Sequence, residues 1–357
     1  MSKSITTSTS RMITRRTALK IAGVATAAPF ILRAGRASAA TELVLVNWGG
    51  DAIPNFTQAF AKPFEQATGI KVTIDGSGPT DGKIKAMVES GNVTWNVCDA
   101  DSFTSLDLGA KGLLEEIDYS IVDPKKVRPG QALKYGCASY IYTYVIAYNA
   151  KKLPQAPKTW ADFWNLEKFP GKRTFWKYMS GALEAALIAD GVPADKLYPL
   201  DTKRAFKKLE EIKDHIILWE SGADSQRFLR EGEVTMGSIW HTRANLLTQD
   251  TKGEVKWHFN QGVASPSSWA VPKGAKNLKE TMQFIAFMQQ PERQLDLLKT
   301  MSNGPANPAA SAMAPADLAK IDPGNEANWK MEIPLDIEWY GKNYNSVLND
   351  YLDLFAS

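Results

Sequence analysis

Cysteine and histidine are scarce: 357 residues carry two cysteines and three histidines. Two cysteines cannot staple a small loop-rich scaffold, and a chain of this length buries its own core. His215, His241 and His258 have no metal-ligand spacing, and Cys98 and Cys137 are 39 positions apart, so no metal site is indicated. No Gly-x-Ser-x-Gly nucleophile elbow occurs. Gly76-Ser-Gly78-Pro-Thr-Asp81 has Asp where a dinucleotide fingerprint needs its third Gly. Gly82-Lys83 is followed by Ile84 where a phosphate loop needs Ser or Thr. The sequence thus offers no catalytic residue and no cofactor motif.

An excess of one charge is also missing. The formal net charge is +3, but residues 1–39 hold seven basic residues and no acid. Taking those seven from 42 leaves 35 bases against 39 acids, about −4 for the remainder. A basic surface for nucleic acid is therefore not expected. Long hydrophobic runs are absent too. The apolar run Ile21 to Leu32 is about a dozen residues, short of the ~20 that span a bilayer.

What is present at the N-terminus reads as an export signal. A basic stretch precedes that apolar run, and Ala37-Ser-Ala39 supplies small residues for cleavage near Ala39. Thr14-Arg15-Arg16-Thr-Ala18-Leu-Lys20 is similar to the twin-arginine pattern, with Ala18 where Phe is usual. A periplasmic protein is expected. In that oxidising compartment Cys98 and Cys137 invite a disulfide, while their spacing equally allows two small buried thiols.

After residue 39 the chain alternates strands and helices. Glu42-Leu-Val-Leu-Val46, Ile70-Lys-Val-Thr-Ile74 and Trp95-Asn-Val-Cys-Asp99 read as strands. Phe56, Phe60 and Phe64 mark a helix between the first two, and Ile84, Met87 and Val88 another. This alternation predicts a doubly wound α/β sheet. Tyr140 to Tyr148 is a long strand leading into a Pro-containing segment, a crossover between domains. Ser265-Pro-Ser-Ser-Trp-Ala-Val271 reads as a second crossing. Between them, a strand ending at Trp240 is followed by a helix.

In order, Asn47-Trp-Gly-Gly-Asp51, Phe64-Glu-Gln-Ala-Thr-Gly-Ile-Lys-Val72, Trp95-Asn-Val-Cys-Asp99 and Gly112-Leu-Leu-Glu-Glu-Ile-Asp118 come first. Tyr148-Asn149, Lys158-Thr-Trp-Ala-Asp-Phe163, Phe169-Pro-Gly171 and Trp269-Ala-Val-Pro-Lys-Gly274 follow. Across essentially all of the mature chain this resembles the extracellular solute-binding proteins of ABC importers, in the spermidine/putrescine-binding branch. The resemblance implies a two-lobed, hinge-linked α/β fold of the periplasmic-binding-protein type II. Lobe one would comprise 41–148 plus 266–310, and lobe two 149–265 plus 311–357. It further implies a monomer that closes on a small solute and docks on an inner-membrane permease with its ATPase. No nucleic-acid partner, cofactor or catalysis is expected.

In open α/β sheets ligands sit beyond the carboxyl ends of strands. That rule selects Trp48 and Asp51 after the first strand, an aromatic face and an anion suited to an ammonium. It selects Asp99, Asp101 and Ser102 after the third, though Asp101 also suits a helix cap. Tyr142 lies on the crossing strand with Tyr140 and Tyr144. Ser180 and Ser221 open helices whose free N–H groups suit an anion. Trp240 and Arg243 end a strand, and an Arg there can grip a carboxylate with two parallel hydrogen bonds. Trp269 often lies against ligand in proteins of the resembling family. Amine-binding relatives often carry an acid just before that Trp, whereas Ser265, Pro266, Ser267 and Ser268 stand here. A ligand bearing a carboxylate, such as an ω-amino acid, fits these charges better than a diamine, and a plain organic acid fits if no acid enters the cleft. Ferric-iron capture by Tyr140, Tyr142 and Tyr144 is a second reading, weakened because the tyrosines alternate rather than adjoin. An exported cofactor enzyme is a third.

Overall fold

The computed structural model describes residues 41–356, so the export signal lies outside the described residues. Eight strands form the main path of one sheet. They are β1 (Glu42–Val46), β2 (Lys71–Asp75), β3 (Val97–Asp101), β5 (Gly136–Asn149), β6 (Arg173–Trp176), β7 (Ile216–Trp219), β8 (Met236–Trp240) and β9 (Val255–Ala270), with the short β4 (Ala132–Leu133) beside β5. Their spatial order is β2-β1-β3-β9-β5-β8-β6-β7.

Two long strands hold this sheet together. β5 and β9 pair antiparallel along their length, with register shifts between Ala138 and Ile141 and between Tyr144 and Ile146. β9 lends its last residues to β3, where Asp99 pairs with Trp269. β5 lends its last residues to β8, where Tyr144 pairs with Trp240. Each long strand thus joins one parallel flank to the other. β1, β2 and β3 run parallel on one flank, and β6, β7 and β8 on the other. Parallel strands covered on both faces explain the apolar run Leu43–Val46 of β1, whose Leu43, Leu45 and Val46 are inaccessible.

Local signals set the helices that follow. Asp51 precedes the helical stretch 52–68, whose Phe56, Phe60 and Phe64 are at most 1% exposed. Gly69 ends it in the left-handed region at φ 74°, a conformation only glycine adopts freely. Thr159 and Asp162 close a capping box on the helix Trp160–Trp164. The long C-terminal helix Ile337–Ala356 touches both flanks. Its Tyr340 ring lies 5.1 Å from Phe103, and the Tyr340 hydroxyl donates to Glu184 at 2.9 Å. No described helix is long and apolar enough to cross a membrane.

Of the two readings of the cysteine pair, the structure has the buried thiols: Cys98 and Cys137 are free. β9 runs between them, with Cys98 opposite Ala270 and Cys137 opposite Trp269. Two strand spacings put their Cα atoms roughly 9–10 Å apart, beyond the ~7 Å limit for a bridge. Adjacent residues of β9 also point to opposite faces, so the thiols do too.

Candidate functional site

The carboxyl ends of β1, β3, β6 and β8 converge on one cavity of about 480 Å³, part of it open to solvent. Of the residues predicted from sequence, Trp48, Asp99, Asp101, Tyr142, Trp240 and Arg243 line it.

Arg243 lies in the first turn of the helix His241–Asp250 and is 1% exposed. A cation at a helix N-terminus opposes the helix dipole. Here it is held by the other flank: Nη2 donates to the Gly49 carbonyl at 2.9 Å, and Nη1 lies 3.3 Å from Asp51. Its Nε has no hydrogen-bond partner among the described residues. Burial lowers the guanidinium pKa, and Asp51, Tyr140 and Asp99 oppose that shift. Arginine stays charged nonetheless. The free N–H groups of the same helix turn add donors beside it.

Opposite charge enters on β3. Asp99 accepts from the Tyr140 hydroxyl at 2.6 Å and from Ser267 Oγ at 3.0 Å. Asp101, two residues on and so on the same face, accepts from the Tyr142 hydroxyl. Asp101 occupies the N-cap position of the helix Ser102–Ala110, yet its side chain makes no capping bond. Its carboxylate is spent on the cavity instead. Burial pushes both carboxyls up to about 7, against the hydrogen bonds that favour their charged forms.

Aromatic rings complete the walls. Trp48 donates its indole N–H to the Asp99 carbonyl at 3.0 Å. Trp240 is ringed by Trp219, Trp176, Tyr142 and Trp48, at centroid distances of 4.7, 5.0, 6.1 and 6.3 Å. Asn303 Oδ1 and Arg243 Nε are buried atoms of cavity-lining residues without a hydrogen-bond partner among the described residues. Buried polar atoms are normally satisfied, so these atoms are suited to meeting a ligand.

The remaining predicted residues lie outside this lining. Asp51 meets Arg243 rather than an ammonium. Ser102 Oγ is paired with Ser268 Oγ at 2.9 Å, below the floor. Ser180 is buried, and the N-cap beside it is Gly181, with no side-chain capping bond. Ser221 accepts from the Asp224 N–H at 3.1 Å and serves as an ordinary helix cap. Trp269 is fully buried against Phe56, Phe60 and Tyr140, behind the cavity rather than in it.

Trp176, Thr242, Met301 and Asn303, which are not among the residues expected from the sequence, also line the cavity. Met301 and Asn303 arrive because β10 (Gly304–Pro305) pairs with Ile141 and Tyr140 of β5. The Asn303-Gly-Pro305 turn after a helix was the available signal. His241, by contrast, is inaccessible: the Thr143 N–H donates to Nδ1 at 3.0 Å, and Nε2 lies 2.7 Å from the Ser302 carbonyl. Burial takes its pKa down to about 4, so it is a neutral tether. The hydroxyls of the ferric-iron candidates Tyr140 and Tyr142 donate to Asp99 and Asp101, and burial raises the pKa of both phenols. Among the described residues no cluster of three or more His, Cys, Asp or Glu could hold a metal ion.

A charged, aromatic-walled cavity between two parallel flanks joined by crossing strands defines a two-lobed α/β solute receptor of type II. Residues 59–327 match the family described as bacterial extracellular solute-binding protein, and the chain belongs to that family. It is the substrate-binding component of an ABC importer, an exported protein and not an enzyme. It is similar to the gamma-aminobutyric acid-binding protein of Pseudomonas aeruginosa PAO1, 35% identical across 84% of this chain and 86% of that one. A solved GABA receptor is 36% identical with a TM-score of 0.81, covering 89% of this chain and 98% of the receptor. The binding protein AgtB of A. tumefaciens R10, solved with agropinic acid, is 33% identical with a TM-score of 0.83, covering 89% and 99%. The spermidine/putrescine branch is represented only distantly. A spermidine/putrescine-binding protein of Streptococcus pneumoniae is 20% identical with a TM-score of 0.66, a likeness of fold alone.

Proposed function

We propose that the chain captures a small linear ω-amino acid of the 4-aminobutyrate class. The observation that carries this reading is the presence of Arg243 and Asp101, opposite in charge, in the lining of one small cavity. A guanidinium beside the free N–H groups of a helix start suits a carboxylate. Asp101, seconded by Asp99, suits an ammonium, and the tryptophan rings around it favour a cation. A diamine would set one ammonium against Arg243, and a dicarboxylate would set one carboxylate against Asp101. Relatives named for GABA support the same class.

Residues 41–148 plus 266–310 form one lobe in this reading, and 149–265 plus 311–357 the other. The solute touches both lobes only when they are closed, so it favours the closed state. The Arg243 bonds to Gly49 and Asp51 already cross between them. Export would proceed by the twin-arginine route with cleavage near Ala39, and the monomer would deliver its solute to a permease and ATPase.

Calorimetry of the mature chain with 4-aminobutyrate, putrescine and succinate tests the proposal. Binding of 4-aminobutyrate, lost in Arg243→Ala, is expected. Tight putrescine binding that survives Arg243→Ala would overturn it.

A further inference from the structure

Beyond the inner cavity lies a second one, of about 770 Å³, part of it open to solvent. The two share Trp48, Asp101 and Trp176 as lining, so those side chains form the partition between them. Trp48 is fixed in that partition. Its N–H is bonded to the Asp99 carbonyl, and a Cβ on Gly78 would come within 3.2 Å of its ring. Trp176 is fixed by Trp219 at 4.2 Å and Tyr178 at 4.9 Å.

The outer cavity has its own chemistry. Asp81 and Asp101 are its acids, Tyr178 and Tyr344 add aromatic rings, and among the described residues no Lys, Arg or His lines it. Asp81 Oδ1 accepts from Thr104 at 3.1 Å, whereas Asp81 Oδ2 is buried with no partner among the described residues. Tyr142 donates to Oδ1 of Asp101, and Oδ2 has no hydrogen-bond partner among the described residues. Two carboxylates with spare oxygens between aromatic faces match a planar, many-donor cation better than a compact ammonium.

We propose that the outer cavity is a second cation subsite, open to linear carboxylic acids that carry a guanidinium at the far end. The carboxylate stays at Arg243, the chain passes Asp101, and the guanidinium forks onto Asp81 and Asp101 beside Tyr178. This inference rests on the ω-amino-acid reading of the inner cavity and widens its substrate class.

The test uses the mature protein, calorimetry, and two probes, 4-aminobutyrate and 4-guanidinobutyrate. Both are expected to bind. Asp81→Asn should weaken 4-guanidinobutyrate by roughly tenfold or more, the scale of a lost charge-assisted hydrogen bond, and leave 4-aminobutyrate within about twofold. Tyr178→Leu, which removes one aromatic face, should show the same selectivity and serves if Asp81→Asn does not fold. Binding of 4-aminobutyrate without 4-guanidinobutyrate would refute the subsite and leave the ω-amino-acid reading standing. Equal weakening of both probes would refute the subsite as well. Binding of neither by the folded wild type would refute both.

Discussion

Arg243 is packed on Gly222 so closely that a Cβ on the glycine would stand 2.4 Å from the arginine Nε. Gly222 opens the helix Gly222–Glu231 in the same flank as Arg243. The absence of a side chain there is what lets the guanidinium lie flat and reach Gly49 across the cleft. Gly222→Ala should therefore displace Arg243 without changing any charge. Solute affinity should fall at least tenfold, approaching the loss of about 2–5 kcal/mol expected for Arg243→Ala, which removes one partner of a buried charge pair. Calorimetry against 4-aminobutyrate checks it, and wild-type affinity in Gly222→Ala would show that Arg243 does not set binding.

Asp101 predicts a pH dependence. Its carboxyl is pushed up to about 7 by burial, so below that pH the free protein holds a proton there. An ammonium favours the carboxylate, so binding must release the proton. Affinity for 4-aminobutyrate should fall as pH drops from about 8 to about 5, by up to tenfold per unit below the free-state value, and level off above it. Asp101→Asn should bind more weakly at high pH and flatten the profile. Calorimetry in two buffers of different ionisation enthalpy reads the released proton directly, and no proton release near pH 6 would exclude Asp101 as the ammonium partner.

The two thiols offer a check independent of ligand. With β9 between Cys98 and Cys137, oxidation cannot join them without rebuilding the sheet. Denatured mature protein from an oxidising preparation should titrate as two free thiols, and reductant should leave the melting temperature unchanged. Fewer thiols together with a reductant-sensitive melt would contradict the strand order.

Much of this frame was legible in the sequence for physical reasons. The β1 boundaries follow from a short apolar run bounded by polar residues, and the run Tyr140 to Tyr148 reads as a long strand. β3 lies two residues further on than the expected Trp95–Asp99, because Asp101 reads as a loop acid beyond the strand end. Asp99 and Asp101 lie inside the strand, paired with Trp269 and Ser267, and this pairing puts both carboxylates on one face. Asp101 then bonds Tyr142 rather than the helix it precedes. No local signal encodes that choice. For Met301 and Asn303 the sequence offers only a turn signal, since it is the β10–β5 pairing that brings them to the cavity from some 160 residues away in the chain. The turn residues Trp240 and Arg243 were legible because a large aromatic and a guanidinium at a strand end have few structural uses.

His241 allows a test in which stability, not binding, carries the answer. It ties the Thr143 N–H of β5 to the Ser302 carbonyl, on either side of the helix start that presents Arg243. His241→Phe keeps the bulk and removes both bonds, leaving a buried N–H and a carbonyl unpaired. The expected cost is about 2–4 kcal/mol of unfolding free energy, read from urea midpoints at unchanged slope. The pKa near 4 fixes how this cost changes with pH. Between about 6.5 and 4 the unfolded chain binds a proton at His241 that the folded chain refuses, so acid erodes the wild type through this group. Phenylalanine has no such proton. The difference between wild type and His241→Phe should therefore be larger near pH 7.5 than near pH 5, by on the order of 2 kcal/mol. A difference that grew toward low pH would mean the imidazole is charged in the folded protein and would reverse its assignment as a neutral tether.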